Sequence, residues 1–231
     1  MKSNTQTYGC LSVLSRCLPI ALSLLILFSL MSCSKDRTEP SSPKSRLFFQ
    51  DDFNRPAIGP DWFDTAAGKY RIVNGELRAA GARNHPLWLT KKLPPSCRVE
   101  FTARSTNPAV DIKVEVYGDG RSKPTSLSYT ATSYVIILGG WNNTKSIIAR
   151  MDEHKKDRKV RTAPKAAPNR SYHFSIERLG NRLSWLLDRK PFLEMIDPAP
   201  LRGSGHEYFA INNWSSEVFF DNLSIYEILD F

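Results

Sequence analysis

From Leu47 onward, the chain consists of short runs rich in β-branched and aromatic residues, separated by Gly, Pro, Asn and Asp. This pattern is typical of strands joined by turns, and no stretch shows helical periodicity. We count about a dozen runs by this criterion. The clearest are Arg98 to Arg104, Asp111 to Tyr117, Ser133 to Trp141, Tyr172 to Leu179, Arg182 to Asp188 and Glu217 to Ile228. The sequence therefore predicts an all-β fold.

Alternation within these runs assigns the two faces of each strand, because successive side chains in a strand point to opposite sides. The positions between the apolar ones are polar or charged, and we expect Asp111, Lys113 and Glu115 to be solvated on an outer face. One core face and one polar face per sheet predict two antiparallel sheets stacked as a β-sandwich. The apolar positions in two of the runs are Val99, Phe101 and Ala103, and Ile112, Val114 and Val116.

The N-terminus has the pattern of a signal peptide. Lys2 and Arg16 precede an apolar run from Leu18 to Met31, and no acidic residue comes before that run. The sequence Leu30-Met31-Ser32-Cys33 then resembles a bacterial lipobox, which implies cleavage before Cys33 and lipidation of its thiol. The apolar run is shorter than the ~20 residues that span a bilayer, but ordinary secretion and a retained anchor stay open as alternatives.

These assignments divide the chain into three parts. Residues 1–32 are predicted to be the signal peptide, residues 33–45 the lipidated cysteine with a disordered polar tether, and residues 46–231 a single β domain. In the bacterial lipoproteins that this pattern resembles, an Asp directly after the cysteine favours retention of the protein in the inner membrane. Ser34 occupies that position, so we expect a lipid-anchored protein of the bacterial cell envelope, in the outer membrane.

Charge and cysteine content exclude several classes. The chain has 32 Lys and Arg against 23 Asp and Glu, a moderate basic excess that does not predict a nucleic-acid partner. Two of the four cysteines, Cys10 and Cys17, lie in the signal and Cys33 is assigned to lipid, so Cys97 has no disulfide partner. No base stands beside Cys97, and we expect a half-buried structural thiol there.

Four segments carry a resemblance to a known superfamily. Phe48 to Arg55, Gly59 to Trp62, Tyr70 to Leu77 and the final Val218 to Tyr226 resemble the opening and closing strands of concanavalin A-like lectin/glucanase domains. The laminin-G-like and 3-keto-disaccharide-hydrolase-like domains are the nearest groups, and the similarity spans residues 47–228. It implies a jelly roll whose terminal strands pair, with a groove for glycans across the concave sheet.

The resemblance does not imply catalysis. Retaining glucanases of this superfamily carry Glu-x-Asp-x-Glu on one strand, which places two catalytic carboxylates on one face. The closest spacing in this chain is Asp111 with Glu115, and Lys113 stands between them. We therefore assign no catalytic residues.

Two Trp/Asn clusters are the strongest indication of a binding site: Gly139 to Thr144 and Ile211 to Ser215. A flat aromatic ring covers the apolar face of a sugar, and an amide both donates to and accepts from its hydroxyls. Alternatively, the tryptophans fill the core and the Asn pairs form turns. On the first interpretation, the expected ligand-binding residues are Trp141, Asn142, Asn212 and Trp214.

The segment between the third and fourth of these runs adds a possible contact for an acidic sugar. Arg150 and Asp152 share a strand face, and His154 could join them at the rim of a site. Arg150 would then hold a carboxylated or sulfated sugar through paired hydrogen bonds. A solvated turn of mixed charge is the alternative interpretation.

Cofactors are not expected, apart from a structural calcium ion. The four histidines and Cys97 lack the spacing of a zinc site. Asp52 and Asp221 resemble positions where jelly rolls of this superfamily hold calcium through carboxylate and backbone oxygens. Capping of strand-end turns is the alternative and the favoured explanation of these acids.

Three functional hypotheses follow. The first is a non-catalytic, lectin-like module that binds a glycan or polysaccharide and is held at a membrane by its lipid. The second is a glycoside-active enzyme, with its acid and base among Glu115, Asp152, Glu153 and His154. The third is a structural envelope protein in which the tryptophans belong to the core.

Overall fold

The computed structural model describes residues 43–126 and 129–229, which form two stacked antiparallel β-sheets. The described residues contain fifteen strands and one four-residue helical turn, α1. Their bounds are β1 Ser45–Asp51, β2 Trp62–Asp64, β3 Tyr70–Val73, β4 Glu76–Ala80, β5 Leu87–Leu89, β6 Cys97–Ser105, β7 Ile112–Gly118, β8 Tyr134–Gly139, α1 Gly140–Asn143, β9 Lys145–Arg150, β10 Lys159–Arg161, β11 Tyr172–Leu179, β12 Arg182–Leu187, β13 Lys190–Ile196, β14 Tyr208–Asn212 and β15 Glu217–Ile228.

One sheet has eight strands and the other has seven. The eight-stranded sheet runs β13-β12-β11-β6-β15-β4-β3, and β1 pairs with the second half of β15. The seven-stranded sheet runs β10-β9-β8-β7-β14-β5-β2. β1 and β15 are the first and last strands, so the terminal strands pair as the resemblance implied. In both sheets, several neighbouring strands are distant in the sequence, such as β6 and β15 in one sheet and β7 and β14 in the other.

The predicted strands are confirmed with small changes at their ends. β11 and β15 have the predicted bounds, and β6 is one residue longer at each end. Val99, Phe101 and Ala103 all point into the core, as the alternation predicted. Aromatic rings join the sheets there; the ring centroids of Phe101 in β6 and Phe209 in β14 lie 6.5 Å apart.

The outer face of the seven-stranded sheet is covered by other segments of the polypeptide. Two segments on either side of residues 127 and 128 pack on it: Ala131 joins an apolar cluster with Val135 and Ile147, and Trp88 Nε1 donates to the Ser122 carbonyl at 2.9 Å. β7 and β8 are consequently buried along their full length. This sheet therefore has apolar groups and enclosed polar groups on a face that alternation alone assigned to solvent.

The predictions for the N-terminus concern residues that the structure does not describe. The signal peptide, Cys33 and nearly all of the tether lie outside the described residues, and β1 begins at Ser45, one residue before the predicted start of the domain. Among the described residues, no helix is long and apolar enough to cross a membrane. Cys97 is fully buried rather than half-buried, and burial raises the pKa of its thiol to about 12, which fits a structural thiol.

Candidate functional site

A cavity of about 550 Å³ opens on the outer face of the seven-stranded sheet. Strand β7 supplies its floor, α1 one wall, and the loops after β9 and β14 most of the remainder. This size falls within the range of small-molecule sites. The lining residues are Asn84, Ala109, Asp111, Lys113, Tyr129, Thr130, Ile137, Trp141, Asn142, Asp152, Glu153, His154, Trp214, Ser215 and Ser216.

The first Trp/Asn cluster forms a left-handed turn beside this cavity. Trp141, Asn142 and Asn143 have φ values of 51°, 55° and 60°, a conformation that costs L-residues roughly 1–2 kcal/mol each. Asn143 holds the turn in place, because its side chain donates to the Ala166 carbonyl at 2.6 Å and accepts from the Ala166 N–H at 3.1 Å. The turn places Trp141 and Asn142 at the cavity, where Trp141 also packs against the apolar cluster that contains Ala131.

The second Trp/Asn cluster is fixed by buried amides. Asn213 accepts a hydrogen bond from the Ala82 N–H at 2.9 Å and donates to the Ser216 carbonyl at 2.5 Å. The Arg83 N–H donates in turn to the Trp214 carbonyl at 2.9 Å. The loop that carries Trp214 is therefore tied to the loop before β5, and the indole remains 36% exposed at the cavity.

Lys113 lies at the floor of the cavity and is almost fully enclosed. Its ammonium group donates to Glu153 Oε2 at 2.7 Å and to Asn84 Oδ1 at 2.6 Å. These contacts connect β7 to the loop after β9 and to the loop before β5. An ion pair with so little exposure is costly to break, because the partner that remains is a dehydrated charge.

Glu115 lies deeper, under the lining residues. It is fully buried, and its carboxylate accepts hydrogen bonds from Ser133 Oγ at 2.6 Å and Asn212 Nδ2 at 2.7 Å. Burial raises the pKa of Glu115, while the Ser133 and Asn212 hydrogen bonds and the Lys113 charge oppose the rise. The expectation of solvated charges was therefore wrong for Lys113 and Glu115, because chain covers this face.

Asp111 lies directly before β7 and holds the Trp214 loop. Its Oδ2 accepts a hydrogen bond from the Trp214 N–H at 2.8 Å. Burial raises the pKa of Asp111, an effect that the nearby Lys113 charge and the Trp214 N–H reduce. This carboxylate therefore links the floor of the cavity to one of its two tryptophans.

Cations accompany both tryptophans. Arg83 lies over the Trp214 ring with its Cζ 5.2 Å from the centroid. Arg158 Cζ and Lys145 Nζ lie 5.2 and 5.6 Å from the Trp141 centroid. Such contacts restrict the orientation of each indole, which lowers the entropy lost when a ligand stacks on it.

The structure brings three of the five predicted ligand-binding residues together. Trp141, Asn142 and Trp214 line the cavity, although their clusters are far apart in the sequence. Asn212 lies underneath, where it is fully buried and donates to Glu115. The cavity is also lined by polar residues that the sequence analysis did not assign to ligand binding, among them Asn84, Asp111, Lys113 and Tyr129. The only sequence feature that could have pointed to them is the alternation of charged residues along β7.

Arg150 faces away from the cavity. It shares a strand face with the core residue Ile148, and its Nε donates to Asp197 Oδ2 at 3.0 Å. Asp152 and His154 do line the cavity. Alternation placed the three together, but Met151 has a positive φ of 62°, which reverses the direction of the chain after Arg150.

The two acids predicted to hold calcium lie near each other. Asp52 is exposed and accepts from the Asn54 N–H, while Asp221 accepts from the Asn222 N–H. Burial, and then the nearby carboxylates Glu76 and Asp52, raise the pKa of Asp221. Among the residues that the structure describes, no group of three His, Cys, Asp or Glu side chains is arranged to hold a metal ion. The calcium site stays a prediction.

Comparison with solved structures shows the concanavalin A-like jelly-roll fold. The endo-β-1,3(4)-glucanase SCLam of family GH16 superposes with a TM-score of 0.57 and 14% identity, over 83% of this chain and 95% of that one. The endo-β-1,3-glucanase of Pyrococcus furiosus gives 0.55 and 11%, over 82% and 97%. The carbohydrate recognition domain of Emp47p gives 0.56 and 13%, over 80% and 98%.

Sequence comparison gives one family. The model of the family described as farnesoic acid O-methyl transferase matches residues 102–223, from β6 to β15. This range includes nearly all of the cavity-lining residues. No curated protein sequence matches the chain significantly.

Proposed function

The chain belongs to the family described as farnesoic acid O-methyl transferase, and from the cavity of this member we propose that it binds a glycan without cleaving it. The observation that carries the proposal is the convergence of Trp141 and Trp214 on one cavity. Both indoles reach solvent there, whereas Trp62, Trp88 and Trp185 are buried. An accessible aromatic ring beside short polar side chains suits the two faces of a sugar ring.

The polar lining supplies the other half of a sugar site. Asn84, Asn142 and Ser215 offer amide and hydroxyl groups, and Asp152 offers a carboxylate that accepts from two hydroxyls. The solved structures of similar fold include two glucanases and a carbohydrate recognition domain, which supports a glycan as the ligand class.

Binding without hydrolysis is favoured by the state of the carboxylates. Hydrolysis needs one carboxyl group as acid and another as nucleophile or base, both in reach of the scissile bond. Glu115 is enclosed beneath the cavity, Glu153 is held by Lys113, and Asp111 holds the Trp214 N–H. These groups maintain the shape of the site.

The family description names methyl transfer to farnesoic acid, and the cavity does not favour that acceptor. Farnesoic acid is a long apolar chain with one carboxylate. Seating it here would dehydrate Asp111, Lys113 and Glu153 against hydrocarbon without replacing their contacts with water, which is costly for charged groups.

A glycan array followed by calorimetry tests the proposal. We expect Trp214→Ala to weaken binding of the best glycan at least tenfold, that is by about 1.4 kcal/mol or more, because a stacked aromatic is a typical binding hot spot. The matched control is Phe48→Ala, which removes an exposed aromatic from β1 in the other sheet. Equal affinity of the two variants would remove Trp214 from the site, and reproducible glycan cleavage by the wild type would replace binding by catalysis.

We also propose that Cys33 carries a lipid that holds the domain at a bacterial outer membrane. The support is the lipobox-like Leu30-Met31-Ser32-Cys33 and the Ser at position 34. Metabolic labelling with a palmitate analogue should mark the wild type and leave Cys33→Ala unlabelled. Labelling of the variant would contradict the assignment.

A further inference from the structure

A second cavity, which shares no lining residue with the Trp141–Trp214 cavity, contains a buried arginine that has no acidic partner among the described residues. Its volume is about 360 Å³. Its walls combine apolar groups, among them Leu93, Pro95 and the ring of Tyr117, with several titratable side chains. The arginine, Arg178, is only 4% exposed.

The contacts of Arg178 satisfy only part of its guanidinium. Nε donates to the Gly180 carbonyl at 3.2 Å, and Cζ lies 4.1 Å from the centroid of the Tyr117 ring. Within residues 43–126 and 129–229, no carboxylate lies within 4 Å of it and neither Nη atom forms a hydrogen bond. Neither Nη atom of Arg178 is fully enclosed, so both can be reached from the cavity.

Stacking on Tyr117 fixes the plane of the guanidinium, because the phenol itself is anchored. Tyr117 OH donates to the Pro94 carbonyl at 3.0 Å, and Cys97 Sγ lies 3.1 Å from the same oxygen. A planar fork held in one orientation, with its outer N–H groups free, matches the oxygens of a carboxylate, sulfate or phosphate. Burial of an unpaired charge is costly, and such an anion would offset that cost.

Other groups of the cavity also favour a negatively charged ligand. Arg202 lies at the exposed side of the cavity. His206 is held at the edge of the cavity, because its Nδ1 lies 2.7 Å from the Thr132 carbonyl, which can only accept. The one acid of the lining, Glu207, is neutralised by Lys92 at 3.1 Å.

We infer that this second cavity binds the acidic group of an anionic ligand, with Arg178 as the paired donor and Arg202 as an additional contact. The volume accommodates a single carboxylated or sulfated sugar or a small phosphate compound. The inference does not depend on the glycan proposal, because the two cavities have different residues.

Titration of the purified protein with defined anions tests the inference. Sodium sulfate, sodium phosphate and sodium glucuronate are compared with sodium chloride at equal ionic strength, by calorimetry and by the shift in Tm that binding causes. We expect at least one of the three anions to bind and raise Tm above the chloride value, and which one binds separates the sugar acid from the inorganic oxyanions. Stabilisation equal to that by chloride for all three would overturn the inference.

Variants locate the binding. Arg202→Gln changes an exposed residue and should lower the affinity about tenfold, the typical effect of losing one charge-assisted hydrogen bond. Arg178→Lys keeps the positive charge but loses the planar pair of N–H donors, and should lower the affinity further.

The control is Arg182→Gln, which changes an exposed arginine of β12 that is paired with Glu194. This variant should bind the anion as the wild type does. Trp214→Ala should also bind normally, which separates this cavity from the glycan site. If Arg178→Lys does not fold, Arg202→Gln decides, and wild-type affinity in that variant contradicts the assignment.

Discussion

Strands β6 and β7 carry the same kind of residues on their outer faces but lie in different surroundings. On β6, in the eight-stranded sheet, Arg98 and Glu100 form an ion pair at 3.0 Å whose side chains are 22% and 27% exposed. On β7, in the seven-stranded sheet, Lys113 is 2% exposed and Glu115 is fully enclosed. Alternation in a strand shows which side chains share a face, but not whether other chain covers that face. The covered face is the one that forms the candidate glycan site.

The largest expected difference between the two faces concerns stability. Lys113→Ala should lower the free energy of unfolding by about 3 kcal/mol or more, because Glu153 and Asn84 lose their partner in an enclosed site. Arg98→Ala on β6 should cost less than about 1 kcal/mol, as is typical of ion pairs that water can reach. Urea denaturation measures both. Equal losses would show that the two faces are energetically alike despite their different burial.

The pH dependence of stability should have opposite signs in the two sheets. The folded-state pKa of Glu115 is raised, chiefly by burial, so its stabilising contribution is present at low pH and is lost as the pH rises above about 4.5. Glu115→Gln should therefore gain stability relative to the wild type as the pH rises. Each unit by which the pKa is raised corresponds to about 1.4 kcal/mol.

Glu217 of β15 provides the opposite case. Hydrogen bonds from Thr106 and Arg78 lower its pKa, so its contribution is present above pH 4.5 and is lost as the pH falls through the folded-state pKa. Glu217→Gln should lose stability relative to the wild type as the pH rises. Denaturation series between pH 3 and 8 give both slopes, and slopes of the same sign would refute the assignment of the two environments.

The smallest expected effect comes from the left-handed turn. Asn142→Gly should raise stability by about 0.5 kcal/mol, because glycine adopts the φ of 55° without strain, and it should weaken glycan binding by removing an amide. The control is Asn222→Gly on β15, which has φ 54° and is exposed in the other sheet. Thermal denaturation and calorimetry should show a similar gain in stability for both variants, with glycan affinity reduced only in Asn142→Gly. Loss of affinity in both would mean that the effect is not local to α1.

Local pattern was sufficient to predict the strands and their core faces. β11 and β15 were correct to the residue, because their alternation and flanking Gly, Asn and Pro define both face and length. The two Trp/Asn clusters were also recognised as candidates for one site. What brings them together is the pairing of β7 with β8 and, above all, with β14, which is distant from β7 in the sequence.

The floor of the cavity and the arginine cavity were not predicted. The sequence predicts that Lys113 and Glu115 are ordinary surface charges, because nothing in β7 itself shows that residues around Ala131 pack over them. Arg178 is a charged residue that follows Phe174 and Ile176 on the core face of β11, and its burial depends on Tyr117 from the opposite sheet. The separation of Asp152 and His154 from Arg150 depended on one backbone angle, at Met151, that no residue pattern encodes.

Acrylamide quenching of tryptophan fluorescence tests the central claim most directly. Trp62, Trp88 and Trp185 are at most 6% exposed, so quenching reports on Trp141 and Trp214 at the candidate site. A bound glycan should protect these indoles, and Trp214→Ala should remove most of the protection. Saturating glycan binding without any change in quenching would place the ligand elsewhere on the protein and contradict the account.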